Sequence, residues 1–134
     1  MVDSRASEAS SARARLSPQR LVEEFGAAWS RKDVDALMSY VADDCVYQAS
    51  VGPEPGETFR GRAEVRRGIE KMLSHDDTGE SRAGRVVMAG NFGISEWSYV
   101  FEAEGRTYEV RGCDLFECEN GKIKRKDAFR KTFG

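Results

Sequence analysis

The chain has 134 residues, with 21 Lys and Arg against 23 Asp and Glu for a formal charge of −2, 40% hydrophobic residues and 10% aromatics. That length suits one compact domain with a real core and excludes a multi-domain enzyme. The near-neutral charge gives no global drive toward nucleic acid or an anionic membrane, so neither is expected as a partner.

The usual catalytic hardware is scarce. His75 is the single histidine, set in a polar SHDDTGE stretch, so a Ser–His–Asp triad or a histidine-rich zinc site has too few parts. Cys45, Cys113 and Cys118 are odd in number and lack C-x-x-C spacing, which points to small buried or half-buried thiols rather than disulfides or a metal site. No metal and no organic cofactor are expected. No apolar run approaches the ~20 residues of a membrane span, and the start of the chain lacks a secretory apolar core. These features lead to the expectation of a soluble, cytoplasmic protein.

Residues 1–16 are Ser, Ala and Arg with almost no large apolar side chain, so the segment reads as a flexible tail before a single domain over 17–134. At Ser17-Pro18 an N-cap residue precedes a proline suited to a first helical turn, and a helix is predicted to start there. Leu21, Phe25, Ala28 and Trp29 give it one apolar face. Asp33 caps a second short helix with Val34, Leu37, Met38 and Val41 as its buried side. A strand follows over 45–50, then a turn-rich loop over 51–56. A third helix after Gly61 repeats the helical period in Val65, Ile69, Met72 and Leu73.

Beyond a loop over 75–80 the period becomes two. Four strands are predicted, over 85–89, 94–103, 108–118 and 122–132, joined by short turns of which Asn120-Gly121 is the strongest hairpin signal. Helices first and an antiparallel meander afterwards indicate an α+β fold, with three helices covering one face of a curved sheet.

Alternation along the strands selects the inward side chains. In the 94–103 strand, Ser95, Trp97, Tyr99 and Phe101 share the apolar face. In the next strand the inner set is Val110, Gly112, Asp114, Phe116 and Cys118, since Glu109, Arg111 and Glu117 are charged. Asp114 therefore stands among apolar side chains. A carboxyl there loses hydration and needs a cation or several donors if it is to stay ionised.

The cation comes from the last strand, where two registers compete. A strict two-residue turn brings Asp127 opposite Asp114, whereas a bulge turns Lys126, Ala128 and Arg130 inward. The first register gives two carboxylates sharing a proton, and the second gives a Lys126–Asp114 pair.

The order and spacing of several short stretches resemble the nuclear transport factor 2-like superfamily, in its SnoaL-like and ketosteroid isomerase-like branch. They are Arg31-Lys32-Asp33-Val34-Asp35-Ala36-Leu37, Ala42-Asp43-Asp44-Cys45-Val46, Val51-Gly52-Pro53-Glu54-Pro55, Gly61, Gly112-Cys113-Asp114-Leu115-Phe116 and Gly121-Lys122-Ile123. The resemblance runs from about Leu21 to Phe133. It implies a cone-shaped half-barrel with a ligand pocket inside, and a homodimer formed through the outer sheet face.

By the same resemblance Asp114 matches the oxyanion Asp of ketosteroid isomerases and the acid/base of SnoaL-like cyclases. Phe25 and Ala49 stand where the isomerases keep a Tyr and a base, so that mechanism lacks its parts. Gly112 and Ala128 replace the Arg and Asp that limonene epoxide hydrolase relatives need. The comparison also favours the bulged register, with Lys126 inward.

The expected function is acid/base chemistry on a small apolar or aromatic carbonyl compound, of isomerase, cyclase or lyase type. Asp114 and Lys126 are the expected catalytic residues, and Phe25, Trp29, Tyr47, Trp97, Tyr99, Phe101 and Phe116 the substrate-binding walls. The alternative is a non-catalytic small-molecule-binding or dimerisation module of the same fold.

Overall fold

The structure is a computed structural model that describes residues 16–53, 56–75 and 78–131. Helix α1, Pro18–Ser30, begins where the sequence predicts: the Ser17 side chain accepts from the backbone N–H of Arg20, and Pro18 occupies the first turn. Its buried face is Leu21, Val22, Phe25 and Ala28. Asp33 caps α2, Val34–Ser39, by accepting from the Ala36 N–H. Helix α3, Gly61–His75, buries Val65, Ile69, Met72 and Leu73 and ends at His75, which the sequence places in a loop.

One six-stranded sheet completes the domain. Its strands are β1, Val41–Gln48; β2, Thr58–Arg60; β3, Glu80–Ala89; β4, Phe92–Ala103; β5, Arg106–Glu119; and β6, Lys122–Arg130. They lie in the order β2-β1-β6-β5-β4-β3. The helices pack on one face, and the core between the layers includes Leu21, Phe25, Leu37, Tyr47, Ile69, Phe116 and Ile123.

Several expectations change. Val41 opens β1 instead of closing the second helix, because α2 stops at Ser39 and Val41 is paired with Ile123. β1 is consequently displaced toward the N-terminus of the predicted 45–50. Strand β2 escaped the sequence reading, since three residues between a loop and a helix show no alternation. β3 begins at Glu80, five residues before the apolar stretch, because pairing with β4 needs no apolar side chain at an edge. The sheet is not wholly antiparallel: β1 runs parallel to β6, which closes the order after the chain has crossed through α3. Leu16, grouped with the tail by composition, packs against the core. Residues 1–15 and Thr132 lie outside the described residues.

The β5–β6 hairpin contains both features that compete in the sequence. Asn120 and Gly121 have φ of 52° and 74°, the pair of left-handed conformations a tight two-residue turn requires. Glu119 pairs with Lys122 and Cys118 with Ile123, but Glu117 then pairs with Arg125, leaving Lys124 as the extra residue. From there Phe116 faces Lys126 and Asp114 faces Ala128. The bulged register is the one adopted.

Candidate active site

Asp114 points from the middle of β5 into the space beneath α1, and it is only 7% exposed. Its neighbours come from separate elements. On β4, the Trp97 indole Nε1–H donates to Asp114 Oδ1 at 3.0 Å. From β6, Lys126 Nζ stands 3.4 Å from Asp114 Oδ2. The same ammonium lies 4.5 Å from the ring centroids of both Trp29 on α1 and Tyr47 on β1.

Lys126 is thus held on three sides, by one carboxylate and two aromatic faces. Desolvated cation–π contacts contribute up to about 2 kcal/mol each and help offset the cost of burying the charge. Asp127, the rival for the inward place, points to the other face and accepts from Arg125 at 2.9 Å.

Gly112 explains how Trp97 reaches the carboxyl. It pairs with Trp97 across the strands, and a Cβ there would run into the indole ring. With no side chain in the way, the ring lies across β5 and its N–H meets the diagonal neighbour Asp114. Burial pushes the Asp114 carboxyl above the usual carboxylate range, and the Lys126 ammonium and the Trp97 N–H oppose that rise.

Beside this pair is a partly open cavity of about 70 Å³, room for about five water molecules. Phe25, Trp29, Tyr47, Trp97, Tyr99, Phe116, Asp114 and Lys126 all line it. Phe25 meets Phe116 edge to face with ring centroids 5.7 Å apart, and Trp29 meets Tyr47 at 6.4 Å, so the walls brace one another.

Phe101 is a correction. It shares the inward face of β4 but lies beyond the cavity, where it stacks between Tyr99 and Tyr108 at 5.4 and 5.5 Å. The period of two gives the face of a residue and not its height on a long strand.

The cavity also includes Ser30, Ser50, Met72, Ala83, Ser95 and Arg130. Strand alternation already turns Ser95 inward, and the bulged register Arg130, whereas Ser30, Ser50 and Ala83 leave no apolar signal for the pattern to find. Met72 reads as core of α3, and its place at the cavity depends on how that helix packs.

The cysteines do not join the site. Cys45 and Cys118 are buried and Cys113 half-buried. Desolvation raises the Cys118 thiol to about 11, which makes it a poor nucleophile. Among the described residues, no three His, Cys, Asp or Glu side chains converge as metal ligands. No described helix is long and apolar enough to cross a membrane.

Helices closing a curved sheet over an apolar pocket, with one buried carboxyl at its wall, define a cone-shaped α+β pocket protein. The SnoaL-like domain profile matches residues 22–126, and the chain belongs to that family. None of the curated proteins matches the chain in sequence.

Solved structures agree on the fold. A Xanthomonas campestris protein of unknown function with a cystatin-like fold is 24% identical with a TM-score of 0.74, over 87% of this chain and 92% of that one. An NTF2-like protein of unknown function from Mesorhizobium loti is 19% identical with a TM-score of 0.71, over 86% and 91%. A Pseudomonas putida protein provisionally named a polyketide cyclase is 22% identical with a TM-score of 0.68, over 87% and 92%. At such identities the likeness establishes the NTF2-like fold and no activity.

Proposed function

We propose that the protein is a cofactor-independent acid/base enzyme acting on a small apolar or aromatic carbonyl compound, with Asp114 as the proton-transferring group and Lys126 as its electrostatic partner. The observation that carries this reading is a carboxyl buried to 7% exposure at the wall of a partly open cavity, beside an ammonium group 3.4 Å away. Asp114 as carboxylate takes a proton from the carbon next to the substrate carbonyl. The C–H electron pair moves into the new carbon–carbon double bond and the carbonyl π pair onto oxygen, where the Lys126 ammonium stabilises the enolate. The proton then returns from Asp114 to carbon.

Isomerase, cyclase and lyase reactions share that first step. The small enclosed volume admits the reactive end of a substrate and leaves the rest at the mouth. The polyketide cyclase name borne by the Pseudomonas protein is consistent with this class and does not choose within it.

The test is exchange of the α-protons of 2-indanone in heavy water, followed by proton magnetic resonance. The wild-type protein is expected to accelerate it, and Asp114→Asn to slow the accelerated rate about 100-fold or more while the protein stays folded. Equal rates in the two proteins would sink the proposal.

One observation favours a second reading, a non-catalytic small-molecule-binding module. Both Asp114 oxygens already meet internal partners, as they would in a purely structural ion pair. In that case the wild-type rate equals the solution background.

We also propose that a second copy of the chain covers the outer sheet face. Val87, Phe92 and Phe129 are 60%, 47% and 49% exposed there. Register places Val87 beside Ile94, Ile94 beside Leu115, and Phe129 beside Cys113, which makes one connected apolar patch.

A further inference from the structure

We infer that the substrate of this pocket carries a carboxylate as well as a carbonyl, and that Arg130 binds it at the mouth. This rests on the catalytic reading for the carbonyl end alone, because the anionic end involves a different residue.

Arg130 ends β6 on the same face as Lys126 and Ala128, lines the cavity, and is half-buried. Among the described residues it meets neither a carboxylate nor another hydrogen-bond acceptor. Its position contrasts with every other cation near the site. Lys126 is engaged by Asp114, Trp29 and Tyr47. Arg125 pairs with Asp127 and Gln48 on the outer side. Arg82 borders the cavity, but its guanidinium pairs with Glu80 at 3.2 Å, and both residues alternate away from the inward positions Ser81 and Ala83.

Among the described residues the cavity therefore holds one carboxylate with its own countercharge, plus a guanidinium that pairs with none of them. A guanidinium beside an apolar wall, with only part of its hydration left, favours a planar anion that can take two parallel N–H bonds.

The spacing fits one molecule reaching both groups. Arg130 pairs with Gly112, two residues along β5 from Asp114, so the two rows are roughly 7 Å apart. Gly112 yields its space to the Trp97 indole, which continues the apolar wall between the rows. An aryl or alkyl chain lying on Trp97 spans from Asp114 to Arg130.

Binding of 4-phenylbutanoate and of its neutral analogue 4-phenylbutanamide separates the charge from the apolar body. The chain has two tryptophans, Trp29 and Trp97, and both line the cavity, so quenching of intrinsic fluorescence reports occupancy. The carboxylate is expected to bind about ten-fold tighter than the amide. Arg130→Met should bring the two within about two-fold, leaving the amide's affinity unchanged, and Arg130→Lys should fall between.

Equal affinities in the wild type, no binding of either compound, or a preference that survives Arg130→Met would each overturn the inference, the last by assigning the anion to Lys126. A carboxylate preference with no 2-indanone exchange would remove the catalytic reading and leave Arg130's role standing.

Discussion

Asp114 is a group whose contribution depends on pH in a direction opposite to that of an ordinary surface carboxylate. Its folded value lies above the unfolded one because burial outweighs the help of Lys126 and Trp97. Between those two values the native chain binds more protons than the unfolded chain. The stability this group contributes is therefore full below the ordinary carboxylate value of about 4 and is lost as pH rises through the raised one. The melting temperature of the wild type relative to Asp114→Asn should accordingly fall as pH increases across that window. A difference that rises with pH would contradict the assignment.

Trp97 acts on the reaction through Asp114, as a positioning residue. Its N–H favours the ionised carboxyl, so Trp97→Phe should move the acid limb of the exchange rate to higher pH and cost about 1.5 kcal/mol of stability. An unmoved pH profile would reduce Trp97 to a wall.

At the scale of the element, a single extra residue decides the chemistry of the site. Lys124 is the bulge in β6, and with it Lys126, Ala128 and Arg130 face inward. Deleting Lys124 would close the bulge onto the register already adopted, with Phe116 opposite Lys126 and Asp114 opposite Ala128, so the inward set is kept. The expected outcome is a change within about 1 kcal/mol in denaturant unfolding, whereas Lys126→Met, which leaves Asp114 buried without its countercharge, should cost about 3 kcal/mol or more. An equal loss from the deletion and from Lys126→Met would mean that Lys126 turns inward only while the bulge is present.

The strands and helices with a clear period were legible in the sequence: α1 from its cap and apolar face, α3 from its repeat, and β4 and β5 from alternation. Asp114 was legible for the same reason, as a charge in an otherwise apolar phase. The short β2, the first half of the edge strand β3 and the parallel β1–β6 pairing were not, because their formation depends on partners distant in the chain.

For the molecule as a whole, the outer sheet face bears on assembly. Phe129 is 49% exposed at the β6 end of that patch, and Phe129→Asp should convert a dimer into a monomer in sedimentation velocity while leaving exchange by the pocket on the opposite face in place. A wild-type monomer at all concentrations would remove the proposed dimer.

The sequence by itself determined the α+β architecture, the inward phase of β4 and β5, and the isolation of one carboxyl among aromatics, because these follow from local periodicity and from the cost of burying charge. Only the tertiary structure decided that Lys126 rather than Asp127 meets Asp114, that Trp97 hydrogen-bonds the carboxyl where Phe101 stands clear of the cavity, and that the Arg130 guanidinium has no partner among the described residues. Those outcomes depend on where a bulge falls and which strands lie side by side, and neighbours along the chain carry no record of either.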